Sequence, residues 1–215
     1  MEVLKIRLSD RFPFLGNGKG VLTCYIQKGI HEPGYVETPP RPAMLILPGG
    51  GYYHLSPREG EPIAMSFMDL GIHCFVLEYS VAPEHRWPQA LLEVSAALEL
   101  IRSNAESWNI DPEKLLISGF SAGGHLAASF GTKNMGYTQY GLPKPGALVL
   151  TYPVVTMGEK AHEGSRTYLL GKNPTEEDVR FASIEQQVDS DYPPTFLWWG
   201  DSDTCVDPDN SRMLK

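Results

Sequence analysis

The chain has 215 residues, with 18 Lys and Arg against 26 Asp and Glu for a formal net charge of −8, and 42% of its residues are hydrophobic. That balance suits a single soluble globular domain, residues 1–215, with a sizeable core. It excludes a general affinity for nucleic acid or anionic membrane, which would require clustered cations, so the expected partner is a small molecule.

The N-terminus MEVLKIRLSD interleaves charges with apolar residues and offers no secretory core, and no run approaches the length of a membrane span. Cys24, Cys74 and Cys205 are odd in number and far apart, as expected of reduced thiols in a cytoplasmic protein.

Along the chain, EVLKIRL and VLTCYIQ alternate and flank the turn-rich PFLGNGKG, which predicts an antiparallel hairpin at a sheet edge. Five continuous apolar runs follow: 43–47, 73–79, 114–118, 147–152 and 195–199. Continuous runs fit strands buried on both faces. Helical patterns at 61–71 and 88–108 lie between them, the second with Leu91, Val94, Leu98 and Ile101 at helical spacing. The alternation predicts a parallel sheet covered by helices. Residues 156–194 break it and read as a small insertion near the pocket, with a capping-box pattern from Thr175 to Asp178 and one short helix. The 88–108 helix and the pair Trp198-Trp199 read as core.

Three motifs carry chemistry. Gly119-Phe120-Ser121-Ala122-Gly123 is a G-x-S-x-G string between an apolar run and a helix-compatible stretch, the strand-turn-helix setting of a nucleophile elbow. Pro48-Gly49-Gly50-Gly51-Tyr52 follows the 43–47 run. The N–H groups of Gly50 and Gly51, with that of Ala122, are candidate donors to an oxyanion. Trp199-Gly200-Asp201-Ser202-Asp203 ends the last run, where an acid would follow the serine in the order Ser, acid, His. Asp201 and Asp207 compete with Asp203 for that role; Asp207, before Pro208, has the pattern of a helix cap.

No histidine follows His162. His125 lies one helical turn past Ser121 and is expected to be a packed residue, since the helix leads it down toward the sheet. Tyr52 and His54, beside the glycine loop, are assigned to substrate contact, while His31, His73 and His162 have no supporting pattern.

The stretches LILPGGGYYHLSPREGEPIA, EYSVAPEHRWPQALLEV, NIDPEKLLISGFSAGGHLAA, LTYPVV and PPTFLWWGDSDTCVDPDNS together resemble the α/β-hydrolase superfamily. They are most similar to its carbohydrate (acetyl xylan) esterase-like and hormone-sensitive-lipase-like acyl hydrolases. The resemblance covers nearly the whole chain. It implies a three-layer α/β fold with a mostly parallel sheet and an N-terminal antiparallel hairpin, and a serine esterase for short acyl esters such as acetylated sugars or xylan fragments. It also assigns Ser121 as nucleophile, Gly50, Gly51 and Ala122 as oxyanion donors, and Asp203, three residues after its glycine, as the acid. No cofactor or metal is implied.

This chain departs from the resembling proteins in two places. Pro48 stands where many have histidine, and the sequence ends at Lys215 where they continue to a further strand and a histidine loop. The expectation is therefore a fold lacking its C-terminal strand and histidine loop, with the base supplied from outside these residues. The exposed edge of the last strand offers a route to homo-oligomers. A non-catalytic hydrolase-like module, and a peptidase or aryl-formamidase of the same fold, are the alternative readings.

Overall fold

The computed structural model describes residues 1–29, 34 and 36–215. The first alternating segments form β1 (Glu2–Arg7) and β2 (Val21–Ile26), antiparallel with Glu2 opposite Ile26 and Arg7 opposite Val21. β2 continues antiparallel onto β4 (His73–Glu78). From β4 the sheet runs parallel through β3 (Arg41–Leu47), β5 (Ile110–Phe120), β6 (Ala147–Thr151) and β7 (Thr195–Trp198). Among the described residues the order is β1-β2-β4-β3-β5-β6-β7.

The central strands are continuously apolar because helices cover both faces. Met44 and Ile46 of β3 pack with Val76 and with Ala64 of α1 (Glu61–Met68). Leu45 and Leu47 point the other way, into the larger core shared with α2 (Gln89–Ser103) and α3 (Ala122–Phe130). The stripe Leu91, Val94, Leu98 and Ile101 is buried, as the periodicity predicts. Each such side chain contributes about 1.5–3 kcal/mol on burial.

Because α1 follows β3 on one face and α3 follows β5 on the other, the loops leaving these adjacent strands diverge. A crevice opens at their carboxyl ends. The glycine loop and Ser121 stand on either side of it, since Leu47 is paired with Gly119.

Three expectations change. Residues 156–194 form two helices instead of one, α4 (Glu163–Leu170) and α5 (Glu176–Ala182). The Thr175–Asp178 capping box starts α5 as predicted, with both of its hydrogen bonds made. α4 is missed by pattern reading because its cap is a histidine: the His162 ring accepts the Ser165 N–H. The 88–108 helix stops at Ser103, where the Asn104 side chain bonds back to the Leu100 carbonyl. Finally, β7 lies at the sheet edge as expected, but one of its faces is uncovered, with Phe196 and Trp198 63% and 53% exposed. An apolar run thus marks a strand here without marking a two-sided burial, and Trp198 is not core. Among the described residues no helix is long and apolar enough to cross a membrane.

Candidate active site

Ser121 occupies the single position between β5 and α3. Its backbone sits at φ 51°, ψ −118°, a conformation costing a non-glycine residue about 1–3 kcal/mol. Tertiary bonds hold it there: Ser121 N–H donates to the Thr151 carbonyl, and Val154 N–H donates to the Ser121 carbonyl. The flanking glycines are required by contact. A Cβ on Gly119 would lie 2.2 Å from the Gly123 oxygen, and one on Gly123 would lie 2.1 Å from the Leu47 oxygen. The Ser121 side chain does not cap the helix it begins. Its hydroxyl is partly exposed and, among the described residues, without a hydrogen-bond partner.

The glycine loop is tied down almost atom by atom. Tyr79 OH donates to the Pro48 carbonyl at 2.6 Å, and Gly49 N–H donates to Glu59 Oε2 at 2.8 Å. The Gly49 carbonyl accepts Ser56 N–H, and the Gly50 carbonyl accepts both Tyr53 and His54 N–H. These bonds remove Gly49 as a donor to substrate. Gly50 and Gly51 N–H have no acceptor among the described residues, and Ala122 N–H, in the first turn of α3, has none within the helix. The structure thus leaves unpaired the three amides that the sequence points to.

At the end of β7, Asp203 Oδ1 accepts the N–H groups of Cys205 at 2.8 Å and Val206 at 3.1 Å. Two backbone donors hold one oxygen, and Oδ2 has no hydrogen-bond partner among the described residues. Its rivals are engaged elsewhere. Asp201 is exposed and takes Arg212 and the Trp199 indole N–H. Asp207 accepts Asp209 N–H at the start of α6 (Asp209–Met213) and pairs with Lys160. Phe120 is paired with Thr151 and Thr151 with Trp198, so Ser121 and the Asp203 turn leave the same sheet edge two strands apart. Strand spacings of about 4.8 Å make that a gap of roughly an imidazole and its two hydrogen bonds.

No described histidine fills the gap. His31 lies outside the described residues. His162 spends Nδ1 on Ser165, and its Nε2 faces Cys205 Sγ at 3.8 Å. It lines an open groove of about 560 Å³ together with Asp203, and its ring would meet a Cβ on Gly51 at 3.7 Å. It is therefore part of the site's rim, a placement that no sequence pattern announced. His54, assigned to substrate contact, is exposed beside Tyr53, which stacks on Tyr168 of α4.

Tyr52, the other predicted contact, is turned inward and only 3% exposed. Its hydroxyl donates to His125 Nδ1 at 2.7 Å, and His125 Nε2–H donates to the Ala182 carbonyl at 2.8 Å. The carbonyl can only accept, which fixes this tautomer. The predicted pocket contact is instead a buried strut joining the glycine loop, the elbow helix and α5. His125 is the packed residue it was expected to be.

That strut has a pH signature. Burial pushes His125 down to about 4, so the folded chain keeps the neutral ring. The unfolded chain takes up the proton near pH 6.5 and therefore binds more protons between roughly pH 6.5 and 4; stability falls as pH is lowered through that window. The full effect is on the order of 3 kcal/mol. Urea midpoints at several pH values should drop more steeply toward acid in the native chain than in His125→Gln. Parallel slopes would contradict the assignment. His73, also pushed down by burial, is common to both proteins and cancels.

The chain and its fold have relatives among known proteins. Residues 29–215 match the BD-FAE family. The chain is 39% identical over 81% of its length to endo-1,4-beta-xylanase B of Butyrivibrio fibrisolvens, covering 29% of that protein. It is 32% identical over 73% of its length to an acetylxylan esterase of Xylanibacter ruminicola, covering 30% of it. The chain thus spans under a third of either relative. Among solved structures, the acetyl ester-xyloside bifunctional hydrolase of Caldicellulosiruptor lactoaceticus superposes with a TM-score of 0.86 at 34% identity, over 98% of this chain and 79% of that one. A matched segment of this extent, carried on the same sheet, makes the chain a member of the BD-FAE family within the α/β-hydrolase superfamily.

Proposed function

We propose that the protein hydrolyses carboxylic esters of short acyl groups, acetylated sugars or xylan fragments foremost, through an acyl-enzyme on Ser121. The observation that carries this reading is the meeting, at one sheet edge, of a strained Ser121 whose hydroxyl has no partner among the described residues with amides at Gly50, Gly51 and Ala122 that have no acceptor among them either. Ser121 Oγ attacks the acyl carbon, and the three amides receive the oxyanion that develops. Asp203, through the oxygen that has no partner among the described residues, orients a histidine base and stabilises its imidazolium. That base is a histidine which the described residues do not provide.

The names of two relatives support the substrate class, one an acetylxylan esterase and the other an acetyl ester-xyloside hydrolase. A non-catalytic module is favoured only by the lack of a described histidine bonded to Ser121 or Asp203. The test is turnover of acetyl, butyryl and amide substrates by the full-length protein. The acetyl ester is expected to lead the butyryl ester by at least about tenfold in kcat/KM, the discrimination that two further methylenes bring at a site selective for short acyl groups. A preference for the amide would turn the assignment toward peptidase or formamidase chemistry, and no turnover at all would favour the binding module.

A further inference from the structure

We propose that Glu59 is a positioning residue for the oxyanion hole: its carboxylate, bridging the Gly49 N–H and the Tyr152 hydroxyl, sets the glycine loop so that the Gly50 and Gly51 amides face the carbonyl oxygen of an ester at Ser121. This rests on the ester-hydrolase reading above and adds a residue that reading does not use.

The contacts come from three separate segments. Glu59 Oε2 accepts Gly49 N–H at 2.8 Å, and Oε1 accepts Tyr152 OH at 3.0 Å. Tyr152 directly follows β6, and its own N–H donates to the Trp198 carbonyl at 2.6 Å. One half-buried carboxylate therefore fastens the glycine loop to the strand ends that also carry the acid turn. Burial, and after it the charge of Glu59, raises the Tyr152 phenol far above its ordinary range, so that it remains a donor.

The loop needs such a fastening. Gly50 at φ 131° and Gly51 at φ 64° lie where only glycine moves freely, and a loop of free glycines spreads over many conformations. An oxyanion hole works only if its donors are in place before charge develops. The 48–49 peptide next to these glycines is pinned on both sides, by Tyr79 at the Pro48 carbonyl and by Glu59 at the Gly49 amide. The packing shows how direct the transmission is: a Cβ on Gly49 would touch Glu59 Oε2 at 2.8 Å and Ser121 Cβ at 2.9 Å. With a donor on each oxygen, the carboxylate is engaged in structure and does not act on substrate.

Two substitutions separate positioning from charge. Glu59→Gln keeps an oxygen for the Gly49 amide, and its NH2 can donate to the Tyr152 oxygen. Glu59→Asp keeps the charge but withdraws it by one methylene. In the full-length protein, Glu59→Gln is expected to hold kcat for p-nitrophenyl acetate within about fivefold of the native value. Glu59→Asp should lower it roughly 10- to 100-fold with KM changed less than about threefold, a fraction of what losing an oxyanion donor costs. The rate of fluorophosphonate labelling at Ser121 should follow the same order.

If Glu59→Gln falls as far as Glu59→Asp, the charge is what matters and the inference fails. It also fails if Glu59→Asp keeps native kcat, or if its loss lies in KM alone. Failure of the underlying reading looks different: the native protein would then neither turn over esters nor label at Ser121.

Discussion

Ser121→Ala is expected to abolish covalent labelling by a fluorophosphonate and to lower kcat for an acetyl ester by roughly 10⁴- to 10⁶-fold. The reasoning is geometric. Ser121 stands alone between a strand and a helix, at the carboxyl ends of β3 and β5, with its hydroxyl unbonded among the described residues. Gly49 packs against its Cβ, and the next two residues along the loop are Gly50 and Gly51, whose amides have no acceptor among the described residues. On the proposed mechanism, removing Oγ takes away the atom that carries the acyl group, while the proposed oxyanion donors persist and sustain a residual enhancement of roughly 10³ over water.

The same substitution should leave stability almost unchanged. Alanine keeps the Cβ and so bears the same strain at φ 51°, and the lost hydroxyl had no hydrogen-bond partner among the described residues. Thermal unfolding of the variant therefore serves as the control. Retention of labelling by a folded Ser121→Ala protein would remove Ser121 from the mechanism.

Asp203→Asn should reduce kcat by roughly 10³- to 10⁴-fold, whereas Asp201→Asn should change it less than about threefold. Asparagine at 203 can keep its oxygen on the Cys205 and Val206 amides, so the turn stays folded. Its NH2, however, replaces the one oxygen left free to accept from an imidazole, and the base is then oriented in the wrong tautomer. Asp201 already has both its bonds on the surface, to Arg212 and the Trp199 indole, and an exposed pair of this kind contributes little. Steady-state kinetics of the two full-length variants decide the matter. A larger loss at Asp201 would reverse the assignment of the acid.

The order of strands and helices, the hairpin at the N-terminal edge and the α5 capping box were all legible in advance, because each is written in the spacing of neighbouring residues. The open edge of β7 was expected too, but its uncovered face was not. Phe196 and Trp198 belong to a run as apolar as those of β3 and β4, and periodicity cannot distinguish a strand covered on both faces from one at the rim. α4 escaped for a different reason, since histidine is an uncommon cap and its helix is polar overall, with only Ser165 and Leu169 buried. Tyr52 was misplaced because a tyrosine beside a glycine loop can turn either way, and the partner that turned it inward, His125, lies on another element.

The elbow itself needed no more than its own five residues and their flanks. Only glycine fits at 119 and 123: a Cβ on Gly119 would strike the Gly123 oxygen within the elbow, and one on Gly123 would strike the Leu47 oxygen at the end of β3. The candidate nucleophile and the hydrolase fold could therefore be named from the amino-acid order. The fate of each polar group around them could not. Gly49, Gly50 and Gly51 read alike in sequence, yet Glu59 takes the amide of the first and leaves the other two unpaired. Asp201, Asp203 and Asp207 also read alike until Arg212 and Lys160 engage two of them. Hydrogen-bond partners come from segments distant along the chain, so only the folded arrangement decides which amides and which carboxylate oxygens stay unpaired among the described residues, whereas the G-x-S-x-G string is read directly from the amino-acid order.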